Sequence, residues 1–133
     1  MLDYARQRAA DALKTPRAVI LATSGPAGVQ ASEVKCEALE LALFLLVPQT
    51  SDHLFNLEGN SDVTLLTSWL EIKGVAHILS AIPEGLDLRL LRESEAGWCA
   101  LVRVDPQQVQ IRNPGGWGYV ETIDITPIMG SNK

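Results

Sequence analysis

Ser51, Asp52 and His53 stand together in VPQTSDHLFNLEGN (47–60), directly after the most apolar run of the chain, LALFLLV (41–47). A continuous apolar run that gives way to Ser51 and then to spaced apolar residues predicts a buried strand handing over to a short helix. Ser51 is its N-cap, Leu54, Phe55 and Leu57 turn inward, and Gly59 ends it. The free N–H groups at such a helix start form an anion site. The side chains offered to an anion there are a carboxylate and an imidazole, not Arg or Lys.

Other chemistry is soon exhausted. His53, His77, Cys36 and Cys99 are all the histidines and cysteines present, and none share the close pair spacing that structural zinc sites use. Cys36 ends VQASEVKC as a small strand residue, with no base nearby in sequence to make it a nucleophile. Lys35, one position earlier, reads as a solvated strand charge. Glu33, Glu37 and Glu40 form a solvated acidic face, because acid–base pairs need burial. GxGxxG, P-loop and GxSxG motifs are absent.

The elements that must position these residues follow from periodicity. Residues 2–14 predict a helix with Leu2, Ala5, Ala9 and Leu13 on one side, stopped at Thr15-Pro16. Short strands follow at 17–24, 29–36 and 40–47, separated by the hairpin-sized connections GPAG and CEAL. Residues 62–82 are too long for one strand and predict two, or one bent around Ser68-Trp69. GLDLRLLRESEAG (85–97) fits either a helix or an alternating strand. WCALVRVDPQQVQIRN (98–113) and GYVETIDI (118–125) are two further strands, with NPGGWG (113–118) as their hairpin loop. Such short connections exclude βαβ units. The expected fold is therefore α+β, a mainly antiparallel barrel in a single domain, 1–133.

Composition narrows the partners. A chain of 133 residues with 47% apolar content builds one ordinary core. A net charge of −5 with 5% aromatics argues against a nucleic-acid partner. The first residues, MLDYARQRAADALK, lack the apolar stretch of a signal peptide, and the seven-residue run 41–47 is too short to span a bilayer. Two cysteines 63 positions apart suggest a reducing compartment, so the expected location is cytoplasmic with no membrane partner.

The order of motifs is recognisable. ATSGPAG, QASEV, the TS-x-H-x-x-N-L helix, V-x-L-L, W-L-E-I-x-G-x-A, VRVDPQQVQI and ETIDI together resemble the pyridoxamine 5′-phosphate oxidase-like, FMN-binding split-barrel superfamily, over about residues 15–125. The resemblance implies a six-stranded antiparallel split β-barrel with an N-terminal helix and one or two short helices. It also implies a homodimer with FMN in the cleft between subunits, and flavin-dependent oxidoreductase activity on an unknown substrate. Carried onto this sequence, it lays backbone near Ser32 and Val34 along the isoalloxazine edge and makes Lys35 a phosphate partner. Pro48 and the Ser51-Asp52-His53 turn come to the phosphate, while Trp69 and Trp117 approach the ring from the second subunit. Both tryptophans have an alternative role as packing residues at a barrel end or subunit interface. Mean hydropathy of +0.10 also favours a buried interface between copies.

One departure stands out. Family members that hold FMN typically carry Arg and Lys after the serine, where this chain has Asp52 and His53. A carboxylate about 5 Å from a phosphate costs about 3 kcal/mol per phosphate charge at an effective dielectric of roughly 20, more than a hundredfold in affinity. Turned outward, Asp52 would leave the Ser51 hydroxyl, the helix N–H groups and a protonated His53 for the phosphate. Alternatively, Asp52 itself satisfies the helix start and no phosphate binds. The competing function is a flavin-free binding or interaction module, for another planar ligand such as haem, with His53 or His77 as the axial ligand.

Overall fold

The computed structural model describes residues 2–80, 98–113 and 117–125. Its elements are α1 (Leu2–Leu13), β1 (Ala18–Thr23), β2 (Gln30–Leu39), β3 (Ala42–Pro48), α2 (Asp52–Gly59), β4 (Asp62–Leu66), β5 (Leu70–Leu79), β6 (Cys99–Arg112) and β7 (Tyr119–Asp124). Every strand pair is antiparallel. The sheet runs β3-β2-β1-β4-β5-β6-β7, and pairing of β3 with β6 closes the first six strands into a barrel, with β7 added outside on β6. The fold expected from the sequence is the one observed.

Alternation fills the barrel. Leu21, Leu43, Leu45, Leu65, Ile72, Val102 and Val104 point inward and are fully buried. β3 is buried on both faces, its outward Ala42, Phe44 and Leu46 joining Leu101 in a second apolar cluster. That double burial is why residues 41–47 read as an unbroken apolar run. α1 adds Ala9, Ala12 and Leu13 to the main core, and its Arg8 is paired with Glu121 of β7.

The turns decide where strands end. Residues 62–79 do form two strands, and the break falls where it was expected: the Thr67 hydroxyl accepts from the N–H groups of Trp69 (3.2 Å) and Leu70 (3.0 Å). CEAL, expected as a connection, is instead the end of β2. The hairpin is the two-residue turn Glu40–Leu41, with Glu40 at φ +55°. β5 and β6 pair with a register shift, Lys73 opposite Gln108 and Gly74 opposite Pro106, so Gln107 bulges out of the ladder. Gly74 allows that approach, since a Cβ there would lie 2.6 Å from the Asp105 carbonyl oxygen. Asn113 N–H donates to the Gly118 carbonyl (3.0 Å), as a β6–β7 hairpin requires. The helix-or-strand segment 85–97 lies outside the described residues. No helix among the described residues is long and apolar enough to cross a membrane.

Candidate functional site

α2 lies at one end of the barrel, between the last residue of β3 and the first of β4, and packs on β1 and β5. Ser51 caps it with extended backbone (φ −74°, ψ 140°), and its hydroxyl accepts from the His53 N–H at 3.1 Å. The Ser51 N–H in turn donates to the Pro48 carbonyl (2.9 Å). The capping role read from the sequence therefore holds. The inward face holds for Leu57, which is buried, and for Leu54, partly buried against the core, but not for Phe55, which is 53% exposed; His53 and Asn56 are buried in the same helix. Polar residues won those positions because the strand ends beneath the helix present polar groups.

His53 is 3% exposed. Its Nδ1 is 2.8 Å from the Thr23 hydroxyl on β1, and its Nε2 is 2.7 Å from the Ser32 hydroxyl on β2. Burial lowers its pKa below the usual imidazole value, and the Asp52 carboxylate offsets this only in part. Asn56, fully buried, donates from Nδ2 to Thr23 Oγ1 (3.1 Å) and the Gly28 carbonyl (2.8 Å), and its Oδ1 accepts from the Ala27 N–H (2.8 Å). Gly25 makes room for this: a Cβ there would lie 3.0 to 3.1 Å from Asn56 atoms. Together these contacts fasten α2 to the β1–β2 hairpin.

The residues singled out in the sequence are thus divided. Ser32, Pro48, Ser51 and His53 gather at the α2 end. Val34 points the other way from solvent, into the core, at 6% exposure. Lys35, half-buried, sits on the opposite face of β2 from Val34 and opposite Leu46 of β3. Trp69 and Trp117 lie toward the other end of the same barrel. β4 starts beside α2 with Asp62 opposite Val75 and finishes with Leu66 opposite Glu71, next to the Trp69 turn. Trp69 packs against the core and accepts at its carbonyl from the Arg112 N–H (2.8 Å); Trp117 is 91% exposed at the β6–β7 hairpin. Thr23 and Asn56 were missed, although Asn56 follows His53 by three positions, the spacing that puts two side chains on one helix face.

These groups can be tested against the ligands in question. At the α2 start a phosphate would meet the Ser51 hydroxyl, whose oxygen accepts from the His53 N–H and whose hydrogen can still be donated, a buried imidazole with both nitrogens engaged, and Asp52, an exposed carboxylate. One neutral hydroxyl beside a carboxylate, with no cationic side chain in the turn, does not fit the FMN phosphate dianion. As an axial haem ligand His53 would have to abandon one of its hydroxyl partners. His77 is exposed on β5 with its Nε2 3.5 Å from Asp105. Among the described residues no three His, Cys, Asp or Glu side chains group as a metal site. Burial pushes the Cys36 thiol up to about 12, as befits the inert strand residue expected.

The sequence matches no family model and no curated protein. Solved structures do match. General stress protein 26 from Bacillus anthracis str. Sterne superimposes with a TM-score of 0.67 at 15% identity, covering 90% of this chain and 98% of that one. A Clostridium acetobutylicum protein related to general stress protein 26, of the pyridoxinephosphate oxidase family, gives 0.65 at 12% identity, with 94% and 96% covered. The haem storage protein HutZ from Vibrio cholerae gives 0.58 at 18% identity, with 83% and 91% covered. At these identities the likeness is one of fold, and it agrees with the resemblance read from the motifs: this chain has the split-barrel fold of the pyridoxamine 5′-phosphate oxidase-like proteins.

Proposed function

We propose that this protein is a flavin-free split-barrel binding module, working as a homodimer, rather than an FMN-dependent oxidoreductase. The observation that supports this is the position of His53: buried, held by Thr23 and Ser32, and so withheld from the phosphate that a protonated imidazole would have to bind. With Asp52 beside it, the α2 start also disfavours a dianion by charge. The haem storage protein among the structural neighbours favours a planar ligand without a phosphate as occupant of the cleft between two copies. Two cysteines 63 positions apart in the chain support a cytoplasmic place for it, and the net negative charge favours a partner other than nucleic acid.

The test is the absorption spectrum of the purified protein, followed by FMN and haemin titrations of the wild type and of Asp52→Arg. The expected protein lacks flavin bands, leaves FMN fluorescence unquenched up to about 100 μM, and sediments as a dimer. Asp52→Arg recovers measurable FMN affinity. A yellow protein, or quenching at micromolar FMN, returns the oxidoreductase reading. A monomer at micromolar concentration removes the cleft in which either ligand would sit.

A further inference from the structure

The contacts around His53 form a hydrogen-bond chain with a direction. The Ala27 N–H fixes Asn56 Oδ1 as an acceptor, so Nδ2 is the donor that reaches Thr23 Oγ1 and the Gly28 carbonyl. Thr23 is 3% exposed, and its hydroxyl hydrogen needs an acceptor. Among the described residues the acceptor within reach is His53 Nδ1, at 2.8 Å. Nδ1 is therefore bare. The proton of the neutral ring sits on Nε2 and is donated to Ser32 Oγ at 2.7 Å. The chain runs one way, from Asn56 through Thr23 and His53 to Ser32, and each bond polarises the next.

A neutral ring satisfies every member, and a protonated ring does not. A second proton on Nδ1 would face a Thr23 oxygen whose own hydrogen already points at the ring. Thr23 would have to turn that hydrogen away and accept from both Asn56 and the ring, leaving a buried O–H with no acceptor among the described residues. The cost falls on the contacts that hold α2 to the β1–β2 hairpin, since Asn56 and His53 supply both sides of that attachment.

We propose that α2 is an acid-sensitive latch: the Asn56–Thr23–His53–Ser32 chain holds the helix across the barrel end only while His53 is neutral, and protonation of the ring releases it. The surroundings are consistent with a single controlling group. Among the described residues Asp52, on the same helix, is the one charged side chain coupled to His53, and it favours protonation. β1 contributes no ionisable residue. On β2, Glu33, Lys35 and Glu37 alternate onto the face opposite Ser32. On β5, Glu71 is bonded to the Tyr119 hydroxyl and paired with Lys73, and His77 is paired with Asp105. The inference stands on the hydrogen-bond geometry and is independent of which ligand the barrel takes.

The test uses the full chain labelled with ¹⁵N. Long-range ¹H–¹⁵N spectra at about pH 7.5 are expected to show His53 as the Nε2–H tautomer. On going to about pH 5, hydrogen-exchange protection of the Leu54–Leu57 amides, corrected for intrinsic rates, falls at least about tenfold, while the β3 and β6 amides keep theirs. His53→Gln, whose amide can accept from Thr23 and donate to Ser32, removes the pH dependence. An Nδ1–H tautomer, or an α2 that stays protected down to about pH 4.5, overturns the proposal. The wild-type spectra decide it even where the variant fails to fold.

Discussion

His53 Nε2 and the Ser32 hydroxyl stand 2.7 Å apart although 21 positions separate them in the chain. The distance is that of a nucleophile and its base, but the chemistry is not. In the proposed tautomer Nε2 carries the ring proton and Ser32 accepts it, and the group behind the ring is the Thr23 hydroxyl, not a carboxylate. The pair is a fastening between a helix and a strand end, and most of what can be predicted about this end of the barrel follows from it.

Asn56→Ala should be among the most destabilising single changes in the described part of the chain. It strips the Ala27 N–H and the Gly28 carbonyl of their partners and removes a donor from Thr23. Two orphaned backbone groups at about 1–3 kcal/mol each predict a loss of about 2–6 kcal/mol in urea unfolding. A loss below about 1 kcal/mol would show that the hairpin readily finds other partners.

Stability should fall in mild acid. The folded-state pKa of His53 lies below the unfolded value of about 6.5, so between the two the unfolded chain binds more protons. The stabilisation is complete above about pH 6.5 and is lost as the pH drops through the folded-state pKa. Urea midpoints measured from about pH 7.5 to pH 5 should decline, and the decline should be shallower in His53→Gln. Equal slopes in the two proteins would assign the effect to carboxylates instead.

Gly74→Ala tests the β5–β6 register shift. The new methyl would sit 2.6 Å from the Asp105 carbonyl oxygen and 3.0 Å from the Pro106 Cα, both backbone atoms of the paired strand. One ladder must move, at a cost of about 2 kcal/mol or more. Chemical-shift changes should centre on Asp105–Gln108, and an unperturbed thermal midpoint would mean that the bulge gives way freely.

Cys36 should resist thiol reagents in the folded protein. It is buried, its Sγ lies 3.5 Å from the Pro16 carbonyl, and its pKa of about 12 leaves little thiolate at neutral pH. Modification by a disulfide reagent at about pH 8 should run about a thousandfold or more slower than in the denatured chain. Rapid native labelling traced to Cys36 by mass spectrometry would contradict its place in the core.

By itself the sequence determined the barrel, because strand alternation, hairpin-sized connections and the doubly buried run at 41–47 are local patterns with local causes. It determined the Ser51 cap for the same reason, a short-range contest between a side chain and its own backbone. Only the tertiary structure decided what His53 does. Whether an imidazole at a helix start turns out to an anion or in to a strand depends on what lies beneath it, and Thr23 and Ser32 arrive there from strands 30 and 21 positions away. The same holds for Phe55, an apolar residue left outside because Asn56 and His53 had partners inward. It holds for CEAL too, whose apparent turn became strand once β3 offered it a ladder. Long-range hydrogen bonds have no sequence period, so the polar contacts that close the barrel end emerged only when the chain was folded.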